Sequence, residues 1–85
     1  MSKIEKLIQR LLSKPRDFTY EELVKILNHF GYEEVRKGKT AGSRRAFIRE
    51  TNKHIIRLHK PHPGNILKMY VIDYLIEELK NQGMI

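Results

Sequence analysis

The first thirty residues carry apolar side chains at the spacing of two amphipathic helices. One apolar stripe stops before Pro15 and predicts a short first helix; it consists of Ile4, Leu7, Ile8, Leu11 and Leu12. Thr19 stands three residues before Glu22, so each side chain can bind the other residue's backbone amide. This capping box predicts a second helix over residues 20–30, which Gly31 ends.

From Tyr32 the pattern changes to the period of two that is typical of strands. We predict a first strand over residues 34–37, a loop over 38–42, a second strand that Gly42-Ser43-Arg44 opens, and a third strand over 55–59. The side chains expected to face the helices are Ala46, Ile48, Ile56 and Leu58. The uncovered face would then present Arg45, Phe47, Arg49, Arg57 and His59.

A last apolar-rich segment predicts a final helix over residues 66–81, with Asn65 as its cap and Gly83 beyond its end. The side chains expected to be buried are Leu67, Tyr70, Val71, Tyr74, Leu75 and Leu79, whereas Lys68, Asp73, Glu77 and Lys80 remain exposed. The predicted order is therefore α-α-β-β-β-α. It indicates an α+β fold of two layers, in which helices cover one face of a three-stranded antiparallel sheet.

The whole cationic excess of the chain lies in the predicted sheet. Residues 36–62 hold nine Lys or Arg and one acid, for a local net charge of +8, although the full chain of 85 residues carries only +7. Such clustering favours a polyanionic partner, with nucleic acid as the first candidate. The chain has no Cys and no apolar run near the roughly 20 residues of a membrane span, so we expect a cytoplasmic protein.

Candidate chemistry lies where the start of the second strand meets the end of the third. Gly42-Ser43-Arg44 and His59-Lys60-Pro61-His62-Pro63-Gly64 would converge there. Imidazoles can move the proton of an RNA 2′-hydroxyl, and fixed cations can stabilise the crowded phosphate. The histidines have neither a neighbouring carboxylate nor the helical spacing of joint metal ligands, so we expect no metal and no cofactor.

In these features the chain resembles the HicA family of toxin endoribonucleases. The resemblance covers residues 18–85 and includes Gly31-Tyr32, a basic strand, Gly42-Ser43, His62 with Gly64, and a final helix before Gly83. It implies a single domain over 1–85 that resembles a double-stranded RNA-binding domain, with an additional N-terminal helix at about residues 3–14. It also implies cleavage of messenger RNA, arrest of translation and neutralisation by a HicB-type antitoxin.

One position departs from the family pattern. The usual catalytic histidine completes Gly-Ser-His, and Arg44 stands there in this chain. Arginine stays protonated and cannot act as an ordinary base, although it can still bind phosphate. We predict a catalytic set of His62, His59 and Arg44, in which either histidine transfers the proton and Arg44 contacts the phosphate. The predicted RNA contacts are Lys37, Lys39, Ser43, Arg45, Phe47, Arg49, Arg57 and Lys60.

Two other interpretations stay open at this point. The chain is then a non-catalytic RNA-binding module or inactive toxin relative, or a protein-interaction domain whose basic face binds an acidic antitoxin. Phe47 has two interpretations as well, as a base-stacking side chain or as cross-strand packing. His62, between two prolines, is either a turn residue or a base.

Overall fold

The computed structural model describes residues 2–35 and 44–85. Within those ranges the chain forms three helices and three strands, namely α1 (Lys3–Leu12), α2 (Tyr20–His29), β1 (Tyr32–Glu34), β2 (Arg44–Arg49), β3 (Ile55–His59) and α3 (Met69–Asn81). The strands form one antiparallel sheet in the order β1-β2-β3. The predicted α+β fold is confirmed and is consistent with a double-stranded RNA-binding-domain-like arrangement.

Both helix starts near the N-terminus depend on side-chain caps. The Ser2 hydroxyl accepts a hydrogen bond from the Glu5 amide at the start of α1. The predicted capping box at α2 is confirmed, since the Glu22 amide donates to Thr19 Oγ1 (3.1 Å) and the Thr19 amide donates to Glu22 Oε1 (2.9 Å). Gly31 adopts φ +90° beyond the end of α2, where a side chain would be strained.

An ion pair joins α1 to α2. Arg10 Nε donates to Glu22 Oε2 at 2.9 Å, and Arg10 also reaches Asp17 Oδ1 at 2.9 Å. The guanidinium lowers the pKa of the Glu22 carboxyl, although partial burial works in the opposite direction. Leu11 completes the attachment by burying its side chain in the shared core.

The register corrects the predicted faces of β2. Phe47 pairs with Ile56 and is 0% exposed, so both side chains face the helices. Ala46 and Ile48 pair with Arg57 and Ile55 and lie on the other face, contrary to the prediction. Three consecutive apolar residues leave either alternation open, and the largest of them, Phe47, takes the buried place. For β3 the predicted faces are confirmed.

The boundary of β1 also differs from the prediction. β1 begins at Tyr32, two residues earlier than predicted. The predicted loop over 38–42, the strand residues 36–37 and Ser43 lie outside the described residues.

The final helix begins at Met69 and not at residue 66, because the chain before it pairs with the segment that precedes α2. Leu67 N donates to the Phe18 carbonyl and Tyr20 N donates to the Asn65 carbonyl, both at 2.8 Å. Asn65 is therefore not the cap of α3, and Lys68 occupies that position.

The buried face of α3 differs in one important position. Val71, Leu75 and Leu79 are buried as predicted, together with Ile72 and Ile76. Tyr70 is 63% exposed, so its predicted burial is wrong. Tyr74 is half-buried, and its hydroxyl accepts a hydrogen bond from the Arg57 amide of β3 (3.2 Å).

Candidate functional site

The start of β2 and the end of β3 meet as the sequence predicts. Arg44 is the direct cross-strand partner of His59, and both residues are exposed. Arg57, also exposed, lies two residues before His59 on the same face of the sheet. The uncovered face therefore carries two arginines and an imidazole close to one another. A shallow cavity of about 520 Å³ lies here, lined by Val35, Arg44, Arg45, Ala46, Arg57, Leu58 and His59.

A second groove adjoins this surface at His59. Its volume is about 560 Å³, and it lies between the segment that follows β3 and the start of α3. Its polar lining consists of His59, Lys60, His62, Lys68 and Tyr70. Its apolar lining consists of Pro61, Pro63, Ile66, Leu67 and Val71. Because His59 lines both cavities, the basic sheet face continues into the groove.

Tyr20 holds the segment that carries His62 at both ends. At the first end, Lys60 Nζ lies 5.3 Å from the centroid of the Tyr20 ring, within the range of a cation–π interaction. At the second end, the Tyr20 amide donates to the Asn65 carbonyl. The ring itself is buried, and its hydroxyl donates to Glu34 Oε1 at 3.1 Å. Exposed His62 is thus carried on a loop anchored to the start of α2 on either side.

Three predicted RNA contacts lie on the helix-facing side of the sheet. Phe47 is fully buried, so cross-strand packing is the correct interpretation and base stacking by Phe47 is excluded. Arg45 Nε lies 3.8 Å from Glu34 Oε2. Arg49 Nε donates to the Phe30 carbonyl at 2.8 Å, which ties β2 to the end of α2. The predicted placement of Arg45, Phe47 and Arg49 on the uncovered face is wrong, whereas that of Arg57 and His59 is right.

The remaining predicted positions divide by whether the structure describes them. Lys37, Lys39 and Ser43 lie outside the described residues. Lys60 lies in the groove with both candidate histidines.

His54 lies at the opposite end of β3, in a filled polar cluster. Its Nδ1 is 2.5 Å from the Tyr32 hydroxyl, and its Nε2 is 3.4 Å from Glu78 Oε1. Burial raises the pKa of the Tyr32 phenol, which keeps its proton available for the imidazole. In the tautomer that carries the ring proton on Nε2, His54 accepts from the Tyr32 hydroxyl at Nδ1 and donates to Glu78 from Nε2. His54 therefore connects the sheet to α3.

Tyr70 and Lys68 line the groove, which the sequence pattern did not predict. At about 100° per residue, the stripe that includes Ile72 and Ile76 as well as Leu75 has its centre almost opposite Tyr70. Including both isoleucines in the predicted stripe would have placed Tyr70 in solvent. Lys68 was correctly predicted to be exposed, but only the late start of α3 brings it to the groove.

The described residues contain neither a metal-binding cluster nor a membrane-spanning helix. Over 2–35 and 44–85, no group of three or more His, Asp or Glu side chains is placed to hold a metal ion. No helix in the same ranges has the length and apolar character needed to cross a bilayer.

A model of one protein family matches most of the chain. The family is described as the HicA toxin of bacterial toxin-antitoxin, and the match spans residues 20–80. It runs from the first residue of α2 into the last turn of α3, so it includes the groove and both candidate histidines and leaves α1 outside. No curated protein and no solved structure matched the chain.

Proposed function

The chain belongs to the HicA toxin family of bacterial toxin–antitoxin systems, and we propose that it is a metal-independent endoribonuclease. Members of this family are generally RNases that act on messenger RNA. In this proposal it is the toxin of a type II system, acts in the cytoplasm and arrests translation by cutting mRNA. The observation that carries the proposal is the groove in which exposed His59 and His62 lie beside Lys60 and Lys68, with Arg44 opposite His59.

The reaction needs one proton acceptor and one proton donor. One imidazole removes the proton of a 2′-hydroxyl, whose oxygen attacks the adjacent phosphorus. The bond from phosphorus to the 5′-oxygen breaks, and the second imidazole returns a proton to that leaving oxygen. The products are a 2′,3′-cyclic phosphate and a 5′-hydroxyl. Imidazole suits both roles because it gains and loses a proton near neutral pH.

Arg44 and Lys60 supply fixed positive charge in this mechanism. Arginine remains protonated, so Arg44 binds the phosphate and does not act as the base. Arg44 is the cross-strand partner of His59, and both residues line the same cavity. Arg57 extends the cationic surface along the same face. Lys37, Lys39 and Ser43 remain proposed contacts from the segment between β1 and β2.

The proposed partners are messenger RNA and a HicB-type antitoxin. The exposed histidines and arginines form one surface around the sheet edge and the groove. An antitoxin that covers this surface would exclude RNA, and its own acidic side chains would complement the cations.

A cleavage assay with matched histidine variants tests the proposal. Purified protein is incubated with labelled mRNA and excess chelator, and wild type is compared with the His59→Ala/His62→Ala double variant. We expect the wild type to cleave RNA in the presence of chelator. The double variant should cleave about 10²- to 10⁴-fold more slowly. His29→Ala is the matched control, because His29 is exposed at the end of α2 and is not among the residues that line the groove. Cleavage that needs a divalent metal, or that survives in the double variant, would contradict the proposal.

Arg44 favours a second candidate, an RNA-binding relative without catalysis. The position that usually holds the family's catalytic histidine has no titrating side chain here. In that case wild type and the double variant would both bind RNA in a salt-sensitive manner, and neither would cut it. If the protein binds RNA only weakly at low salt yet binds an acidic antitoxin tightly, the basic surface serves a protein partner instead.

A further inference from the structure

Exposed apolar side chains cluster at one place beside the groove. Among the described residues the large hydrophobic side chains that remain exposed are Leu12, Ile66 (45%), Met69 (37%) and Tyr70 (63%). Three of these four lie within five consecutive residues at the start of α3. Single exposed apolar residues are ordinary on a protein surface, but a cluster next to cations indicates a binding surface.

We propose that Tyr70 is the base-stacking residue of the RNA site and that the substrate enters the groove as an unpaired single strand. This inference rests on the proposed function, because it assumes that RNA occupies the groove. Tyr70 lines the groove together with Lys60, Lys68, His59 and His62. One groove therefore offers an aromatic face to a base and ammonium groups to the neighbouring phosphates.

The side chain of Tyr70 contributes little to the buried core. It lies almost opposite the buried stripe of α3, and 63% of its surface is exposed. Tyr74, one turn later, differs because its hydroxyl accepts the backbone hydrogen bond of Arg57 on the edge strand β3. Tyr74 therefore contacts the sheet through its hydroxyl, whereas Tyr70 faces the groove.

Stacking on Tyr70 selects the form of the nucleic acid. In a duplex both faces of a base are covered by its neighbours, whereas an unpaired base exposes a face that an aromatic ring can cover. The groove volume of about 560 Å³ falls within the range of pockets that enclose a small ligand, which suits one or two nucleotides and not a duplex. A base on Tyr70 would place its ribose close to the imidazoles of the same groove.

The test measures binding of a short single-stranded oligoribonucleotide with 2′-O-methyl riboses, which cannot be cleaved through the 2′-oxygen. We expect Tyr70→Ala to weaken binding by about 5- to 150-fold, the range that one stacked base gives. Tyr70→Phe should stay within about twofold of wild type, because the ring and not the hydroxyl stacks. An oligomer of equal length that lacks its bases should bind wild type and Tyr70→Ala equally.

Tyr70→Trp gives a direct spectroscopic signal. The chain has no tryptophan, so the new indole is the only one, and a stacked base should quench its fluorescence. The single strand should quench it strongly, whereas a duplex of the same sequence should not. Tyr74→Phe is the matched control, since it should lower thermal stability and leave the affinity for the single strand unchanged.

The outcomes separate this inference from the proposed function. If wild type binds and cleaves RNA and Tyr70→Ala binds the single strand equally well, stacking on Tyr70 is wrong and the proposed function stands. If Tyr70→Ala loses binding only to an acidic antitoxin, the cluster is a protein-binding surface and the inference is also wrong. If wild type neither binds nor cleaves RNA, both proposals are wrong.

Discussion

The two ends of strand β3 each carry histidine, and they differ in what surrounds the ring. His54, just before the strand, has a 19% exposed side chain, with Nδ1 next to the Tyr32 hydroxyl and Nε2 next to Glu78. His59 ends the strand, and His62 follows; both are exposed and line a groove with Lys60 and Lys68. At one end both ring nitrogens contact side chains of the fold, and at the other two exposed histidines lie in a cationic groove.

The comparison shows why histidine alone does not indicate catalysis. A ring whose two nitrogens hold a tyrosine and a glutamate stabilises the packing of a sheet on a helix. A ring in an open cationic groove can exchange a proton with a bound phosphate diester. The neighbours of each ring therefore decide its role.

Single substitutions of the groove histidines should give the largest effect. We expect His59→Ala and His62→Ala each to reduce the cleavage rate by about 10²-fold or more if one acts as base and the other as acid. The rates are measured with excess RNA and chelator, and circular dichroism confirms that each variant is folded. If only one substitution matters, the other histidine merely lines the groove.

His54→Ala should affect stability and not the chemical step. It leaves the buried Tyr32 hydroxyl without its partner, which we expect to cost about 1–3 kcal/mol in the free energy of unfolding. Urea unfolding measures this loss, and the cleavage rate per folded molecule should stay within about twofold of wild type. A large loss of cleavage in a folded His54→Ala protein would contradict a purely structural role for His54.

The two faces of the sheet should differ in their effect on RNA affinity. Arg57 lies exposed on the uncovered face, whereas Arg49 is bonded to the Phe30 carbonyl on the helix-facing side. Arg57→Gln should reduce the slope of log affinity against log salt by about 1, as expected for one lost phosphate contact. Arg49→Gln is the matched control and should leave the slope unchanged; equal slopes for both variants would argue against an RNA-binding uncovered face.

An acid-pH experiment measures how much the ion pair between Arg10 and Glu22 stabilises the fold. Because Arg10 lowers the pKa of Glu22 in the folded protein, the pair adds stability above the unfolded carboxyl pKa of about 4.3, and this stability is lost as pH falls through the folded pKa. Glu22→Gln should reduce stability by about 0.5–1 kcal/mol at pH 7 and flatten the decline below pH 4. Urea unfolding at several pH values measures it. A stability difference between wild type and Glu22→Gln that stays the same from pH 7 to pH 3 would contradict this role of Glu22.

The sequence predicted those features that depend on neighbouring residues. The capping box of Thr19 and Glu22 and the glycine beyond α2 are local, so the boundaries of α2 followed directly. The opposition of Arg44 and His59 also followed, because an antiparallel meander brings the start of one strand to the end of the next.

Features set by tertiary contacts were harder to predict. The backbone pairing of Phe18 and Tyr20 with residues 65–67 delays the start of α3. The sequence near Asn65 carries no local signal for this pairing. The face of β2 remained ambiguous because Ala46, Phe47 and Ile48 offer apolar side chains in both directions. The error in β2 placed the buried Phe47 at the candidate site, and the omission of Ile72 and Ile76 from the α3 stripe hid the exposed Tyr70.

The chemistry of the RNA ends distinguishes proton transfer by histidine from metal-dependent hydrolysis. Wild-type protein is incubated with a defined RNA in excess chelator, and the fragments are identified by mass spectrometry. Proton transfer by the groove histidines predicts 2′,3′-cyclic phosphate and 5′-hydroxyl ends, and a 2′-deoxy substitution at the cut nucleotide should block cleavage there. Fragments with 3′-hydroxyl and 5′-phosphate ends, or an RNA that remains intact until a divalent metal is added, would contradict the account.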